Sequence, residues 1–342
     1  MTAVFCHNAA DRKAETWAKQ LEPFEHLEFA ISDAAKGIAS AVVEVAKARH
    51  DDLLAPPLEH GLDVFHTTME AQRVLCQHWR RAEAAWEKAE AADLAVAQSK
   101  RQGIDARGIS QTARAAWRPA IASFEQVERL EAAWNRAHAA LDLFAPDGRL
   151  NDRSRAQAEI TASLLDLAGP DWSKVRNFLN DRRSLAFLDR MHHRLEKAEP
   201  RREWREAMVW RWKLRHHRSG PTDPRTALVQ AVARDRELEE QEQASHDRVA
   251  AVFRDTVRAS SAVECMNSVL RMQQSRHRRM TQPMLDLKRL YWNTREFRSG
   301  PRKDVCPYQR LGLALPRYDF WELLEADPGH LTQQLSTQAN AE

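Results

Sequence analysis

Glycine is scarce in this sequence. It contributes 10 of the 342 residues, well below the roughly 7% of an average protein, while Ala, Arg, Glu, Leu and Gln are abundant. These five residue types are good helix formers. The composition therefore predicts a mostly helical chain, and the length allows one large domain or two to three smaller ones.

Long apolar runs and paired cysteines are missing as well. No window offers the ~18 uninterrupted apolar residues of a membrane-spanning helix, and the first residues lack the basic-then-apolar layout of a signal peptide. We therefore expect a cytoplasmic protein without a membrane partner. The cysteines show no CxxC pair and no zinc-ligand spacing, which predicts reduced, structurally incidental thiols; they are Cys6, Cys76, Cys265 and Cys306.

Charge is close to balanced overall but uneven along the chain. The formal net charge is +3, yet residues 258–317 contain 13 Lys or Arg and four acidic residues, which leaves +9 on that segment. Such a segment is the electrostatic footprint of a nucleic-acid binder, although a basic solvated face explains the charge alone equally well.

The first 65 residues show the sequence pattern of a small α/β unit. Residues 27–31 and 61–65 are short apolar runs typical of strands, and residues 34–49 carry apolar side chains at helical spacing. Asp33 stands between the first run and this helix. Taken alone, it is more readily a helix cap than a catalytic acid, although the end of a buried strand is where α/β folds place ligands.

The middle of the chain is helical almost throughout. Large apolar residues recur at spacings of three, four and seven before and after a break with two glycines, Gly103 and Gly108. This predicts a long antiparallel helical hairpin with its tryptophans, Trp79 and Trp86 among them, in the core. Shorter helices are expected at residues 155–167, 172–179, 182–198 and 203–216.

Further along, a charged helix at residues 226–246 is predicted to run into a second one at residues 249–276 around Glu264. On that second helix, Asn267, Ser268 and Arg271 follow Glu264 at i+3, i+4 and i+7. One polar face would thus carry an acid, an amide, a hydroxyl and a cation, which suits a metal ion and a phosphate backbone together. A single surface glutamate is nevertheless commonplace.

Three short motifs in this order resemble the catalytic domain of DDE-type transposases from bacterial insertion sequences. Residues 32–37 (SDAAKG) resemble the strand end that bears the second Asp, and residues 261–271 resemble the Glu helix of the family. Between them, Asp63-Val64-Phe65-His66 fits an element that precedes a helical insertion in many cut-and-paste transposases. Residues 275–321 also look like the C-terminal part of such enzymes, and the resemblance spans essentially residues 11–325.

The resemblance implies a mainly α chain with a small α/β core, namely an RNase H-like, retroviral-integrase-like domain interrupted by a large all-helical insertion. Its expected divisions are residues 1–65 as a remnant of the α/β core, 66–255 as the insertion, 256–326 as helices that complete the core, and 327–342 as a flexible tail. No segment before Asp33 resembles the first catalytic strand with its Asp. The sequence therefore predicts an N-terminally truncated catalytic domain.

For the site, the resemblance implies that Asp33 and Glu264 hold Mg²⁺ or Mn²⁺, with carboxylates within roughly 10 Å of each other. Asp63, His66 and Asn267 are possible supporting residues, although an Asp and a His at this place also suit capping and packing. DNA, as element ends and target, is the implied partner, and a homo-oligomer is possible. The expected phosphate contacts are Arg271, Arg276, Arg278, Arg279, Lys288, Arg289 and Arg295.

The expected activity of the intact family is DNA transposition by metal-dependent phosphodiester hydrolysis and strand transfer, and this chain is expected to be inactive alone. Two other classes remain open. A non-catalytic DNA-binding remnant would bind DNA in a salt-dependent way without cutting it. A helical coiled-coil scaffold built on the hairpin would dimerise and ignore polyanions.

Overall fold

The computed structural model describes residues 11, 13–33, 35–50, 57–216, 229–233, 236–258, 281–298, 303–313 and 315–339. Within these residues the chain is mainly helical with a small two-stranded sheet, as the composition predicts. The chain divides into two compact units, Trp17–Ser260 and Met1–Thr16 together with Ser261–Glu342. In the described part of the chain, no helix combines the length and the apolar character that crossing a bilayer requires.

The sheet lies in the unit Trp17–Ser260 and is built from one βαβ connection. A first helix, α1 (Ala14–Leu21), precedes β1 (Phe29–Ser32), and α2 (Lys36–His50) leads to β2 (Glu59–Leu62). The strands pair in parallel, from Phe29 opposite Glu59 to Ser32 opposite Leu62, as expected for strands joined by a helix. Both predicted strands are confirmed, with bounds shifted by one to three residues.

Two very long helices, α3 (Val64–Arg101) and α4 (Arg107–Ala140), form the predicted antiparallel hairpin. Their seam follows a heptad repeat. The buried positions seven residues apart are Leu75, Ala82, Ala89 and Val96 on α3 and Ala113, Ala120, Val127 and Trp134 on α4.

The expectation that the hairpin tryptophans are core residues is wrong for three of them. Trp79, Trp86 and Trp117 are only half-buried, whereas Trp134 is buried. Alanine at the seam leaves no room for indole rings between the helices, so the rings lie along one flank of the hairpin.

The main core forms where the base of the hairpin meets five further helices. They are α5 (Arg153–Asp166), α6 (Ser173–Asn180), α7 (Ala186–Ala198), α8 (Arg202–His216) and α9 (Glu240–Asp255), with 3-10 turns at Pro170–Trp172 and Arg182–Leu185. Trp172, Ile160 and Leu188 are fully buried in this core. The predicted helix at residues 182–198 therefore begins with a 3-10 turn and becomes α-helical at Ala186.

Two expected helices differ in the structure. The helix predicted at residues 226–246 is interrupted, because residues 237–239 are not helical and α9 begins after a capping box of Glu239 and Glu242. The buried Arg211 donates to the carbonyls of Ala233 and Arg236, which lie on the N-terminal side of this interruption. The helix predicted at residues 249–276 is likewise broken, since α9 ends at Asp255 and residues 256–258 are not helical.

The second unit contributes α10 (Gln282–Thr294), α11 (Pro307–Arg310), α12 (Phe320–Glu325) and α13 (Pro328–Ala339) to the described residues. α10 packs against α11 and α12, where the rings of Tyr291 and Phe320 meet edge to face at 5.7 Å. Most of the segment predicted as a flexible tail, residues 327–342, lies in the helix α13.

Candidate functional site

Asp33 and Asp63 lie at the same edge of the sheet. Each follows the last residue of a strand, and the strands are parallel with Ser32 paired to Leu62. The backbone N–H of Asp63 donates to the Ser32 carbonyl at 2.9 Å, which continues the ladder by one step. The carboxyl edge of parallel strands is the place where α/β folds hold ligands.

Asp33 is the accessible carboxylate of this edge. It is exposed, and its Oδ1 accepts a hydrogen bond from the backbone N–H of Ala35 at 3.2 Å, just ahead of α2. No described residue contacts its Oδ2. Asp33 is not the N-cap of α2, because the helix begins at Lys36 and its first backbone hydrogen bond runs from Ala39 to the Ala35 carbonyl. The second carboxylate oxygen of Asp33 can ligate a hard cation such as Mg²⁺.

The carboxylate of Asp63 has a structural role. Its side chain is fully buried, Oδ1 accepts the backbone N–H of Phe65 at 2.9 Å as the N-cap of α3, and Oδ2 lies 2.5 Å from Nδ1 of His66. His66 keeps 41% of its side chain exposed. For Asp63, this geometry fits the capping and packing interpretation of the motif.

Asp63→Ala should therefore destabilise the protein by about 1–3 kcal/mol, because it removes an N-cap and a buried acceptor of His66 together. Urea denaturation followed by helical circular dichroism measures the change. Asp33→Ala is the matched control, since it removes a solvent-exposed carboxylate of the same edge and should cost less than about 1 kcal/mol. Equal losses in the two variants would contradict the assignment of Asp63 as the structural member of the pair.

A polar chain that the sequence did not reveal fixes the end of β1. The Asp181 carboxylate binds Arg183 at 2.6 Å, Arg183 donates to Nδ1 of His60 at 3.1 Å, and Nε2 of His60 lies 2.9 Å from Oγ of Ser32. Because a guanidinium only donates, His60 carries its proton on Nε2. Burial and the Arg183 charge lower the pKa of His60, which favours this neutral form. The chain ties Ser32, the neighbour of Asp33, to the 3-10 turn Arg182–Leu185.

Arg258 brings the chain back to the same edge after the helical region. Its carbonyl accepts the backbone N–H of Val64, the first residue of α3, at 3.1 Å. Its guanidinium donates to the Leu141 carbonyl at 2.8 Å and to Asp142 at 2.5 Å. The polypeptide thus leaves the helical region beside Asp63 and Val64, six residues before Glu264 in the sequence.

Several predicted site residues lie outside the described part of the chain, namely Glu264, Asn267, Arg271, Arg276, Arg278 and Arg279. The expected distance between the carboxylates of Asp33 and Glu264 is therefore not tested by the described residues. Three predicted phosphate contacts are described on or next to α10. Arg295 is exposed and stacks over the Trp292 ring at 5.1 Å. Arg289 pairs with Asp286 at 3.4 Å, and Lys288 is half-buried.

Comparison with known proteins does not assign the chain to a family. The sequence matches no protein-family model, and neither a curated protein nor a solved structure is detectably similar to it. Among the described residues, no group of three or more His, Cys, Asp or Glu side chains is arranged to hold a metal ion. The candidate site therefore rests on the geometry of the sheet edge and on the sequence motifs.

Proposed function

We propose that this chain is a transposase-derived DNA recombination protein, in which Asp33 and Glu264 are metal-ligating carboxylates of an RNase H-like site for phosphodiester hydrolysis and strand transfer. The observation that carries the proposal is the meeting of three segments at one sheet edge. Asp33 directly follows β1, and Asp63 directly follows β2 and precedes the helical region. After the helical region, Arg258 binds the backbone of Val64, six residues before Glu264.

This connectivity supports the proposed fold. An α/β unit whose second strand leads into a long helical region, with the chain returning to the strand ends afterwards, is the arrangement of an inserted domain. The return depends on a few specific bonds, namely those of the Arg258 carbonyl and guanidinium. A helical domain that merely followed the sheet would not need to come back to Val64.

The donor chemistry fits Mg²⁺ or Mn²⁺ at Asp33. Both ions prefer oxygen ligands, and a pair of them would polarise the phosphate and steady the attacking and leaving oxygens. Asp33 offers an exposed carboxylate oxygen, whereas Asp63 is buried and bonded through both oxygens. Asp63 is thus unsuited to join Asp33 and Glu264 as a third metal-binding carboxylate. We therefore propose that the chain by itself binds DNA without cutting it.

DNA binding is the first test of this proposal. A fluorescently labelled duplex should bind the chain with an affinity that falls steeply as salt rises, because phosphate contacts release counterions. Lys288→Ala combined with Arg295→Ala should weaken binding at all sequences and lower the salt slope by about one to two. Arg81→Ala, which removes an exposed cation of the hairpin paired with Asp171, is the control and should change little.

A chain that ignores duplex DNA at low salt would overturn the proposal. That result would instead favour the second candidate function, a helical scaffold, for which the heptad seam of α3 and α4 is the supporting observation. Mg²⁺-dependent cutting by this chain alone would retain the DNA-processing function and show that a carboxylate other than Asp63 completes the metal site.

A further inference from the structure

One flank of the hairpin carries a continuous row of aromatic rings. Trp79 and Phe124 lie 5.6 Å apart between ring centroids, Phe124 and Trp86 5.0 Å, and Trp86 and Trp117 4.8 Å, all edge to face. Two of the indole N–H groups donate to carboxylates of the hairpin, Trp86 to Glu90 and Trp117 to Asp93. The rings of Trp86 and Trp117 can therefore contact an apolar partner without leaving these two donors unpaired.

Two exposed aliphatic side chains add to this row, Ile121 within it and Leu94 on the side of the hairpin tip. Ile121 is 47% exposed and stands between Trp117 and Phe124 at helical spacing, and Leu94 is 63% exposed one turn beyond Glu90. We call the aromatic strip the set of Trp79, Trp86, Leu94, Trp117, Ile121 and Phe124. The main core reaches only to Leu75 on α3 and begins again at Leu130 on α4, so the strip lies beyond it.

The charges that border the strip are unevenly divided along the hairpin. By helical spacing, the acidic border runs beside the rings from Trp79 to Leu94 and comprises Glu83, Glu87, Glu90, Glu125 and Glu128. The basic border lies toward the tip and comprises Arg101, Arg107 and Arg114, all exposed. A surface with one acidic and one basic end is complementary to itself when a second copy is turned end to end.

We propose that the aromatic strip is a homodimer interface, in which two hairpins pack face to face and antiparallel, with the basic tip of one copy against the acidic border of the other. The interface is isologous, as the common twofold dimers are. Apolar contact of the two strips provides the attraction, and the divided charges fix the antiparallel direction. This inference goes beyond the proposed function and does not depend on it.

The size of the surface fits this occupant. From Trp79 to Arg101 the helix rises about 30 Å, and two helices side by side are about 20 Å wide. The face therefore covers about 600 Å² on each copy, at the lower end of stable protein interfaces. A dimer that dissociates at low protein concentration is the expected result.

Sedimentation equilibrium of the full chain tests the apolar part of the proposal. The wild type should show a concentration-dependent dimer, and Leu94→Asp with Ile121→Asp should raise its dissociation constant by at least about a hundredfold, since both charges would be buried in the contact. Leu165→Asp is the matched control, because Leu165 is 82% exposed on α5 outside the strip and its substitution should leave the dimer intact. Circular dichroism shows that each variant keeps its helix content.

A charge exchange tests the direction of packing. Arg101→Glu with Arg107→Glu and Arg114→Glu makes the border acidic throughout, and Glu83→Arg with Glu128→Arg makes it predominantly basic. Each variant alone should dimerise about tenfold more weakly, while a mixture of the two should form a heterodimer. Three results would each overturn the proposal: a wild type that stays monomeric at high concentration, a dimer that the aspartates do not weaken, or a mixture that forms no heterodimer. A monomeric wild type would mean that the strip binds a different protein or no protein.

Discussion

Asp33→Asn is expected to abolish metal-dependent DNA cleavage while leaving DNA affinity nearly unchanged. The loss should be several orders of magnitude, because the substitution removes an anionic ligand from the proposed metal site, where the ions would polarise the scissile phosphate. Asparagine retains a side-chain oxygen that can accept the Ala35 N–H, as Oδ1 of Asp33 does. The local fold should therefore survive, and the effect reports on ligation alone.

Because Asp63 is buried and bonded through both oxygens, the assay uses this chain fused at its N-terminus to a strand that ends in Asp. A labelled duplex is assayed with Mg²⁺ and with Mn²⁺. Asp105→Asn is a matched control, because Asp105 is exposed and accepts the Arg107 N–H at 3.0 Å ahead of α4, much as Asp33 does ahead of α2. Glu264→Gln should behave like Asp33→Asn, and undiminished cutting by Asp33→Asn would refute the proposed site.

Local patterns were sufficient to predict both strands and the hairpin. The strands follow from short apolar runs, and the parallel pairing follows from the helix between them. The apolar spacing predicts the two helices and their antiparallel pairing, whereas the seam itself runs through Leu75, Ala82 and Ala89 rather than through Trp79 and Trp86. The positions of the tryptophans required more, since periodicity alone does not tell whether a ring fits between two helices or lies beside them.

The arrangement around the candidate site depends on long-range contacts that carry no local signal. His60 acquires its role from Arg183, 123 residues away in the sequence, and Arg258 from Leu141 and Val64. In the sequence, Arg258 lies within a stretch of helical spacing. Its backbone is not helical, and its partners at Val64 and Leu141 are far away in the sequence. The interruption of the helix predicted at residues 226–246 likewise coincides with hydrogen bonds from the distant Arg211.

Glu199 is expected to make the helical region sensitive to acid. It is 1% exposed, between α7 and α8, and its carboxylate accepts hydrogen bonds from Arg201 at 2.8 Å, Ser245 at 2.6 Å and Arg248 at 3.0 Å. The hydrogen bond from Arg201 is the main reason why the pKa of Glu199 falls from 4.5 to about 2. A carboxyl group whose pKa is lowered by folding stabilises the folded state fully above its unfolded pKa, and this contribution is lost as the pH falls from about 4.5 toward 2.

Glu199→Gln should therefore destabilise the protein by up to about 3 kcal/mol at pH 7, since it removes the charge that two guanidinium groups share. The difference from the wild type should shrink progressively below pH 4.5, because there the wild type loses the same charge. Urea denaturation at pH 7 and at pH 3 measures both values. Glu206→Gln, an exposed partner of Arg202, should change stability by less than about 1 kcal/mol at either pH. An equal loss for Glu199→Gln at both pH values would mean that packing of the side chain, rather than its charge, stabilises the junction of α7, α8 and α9.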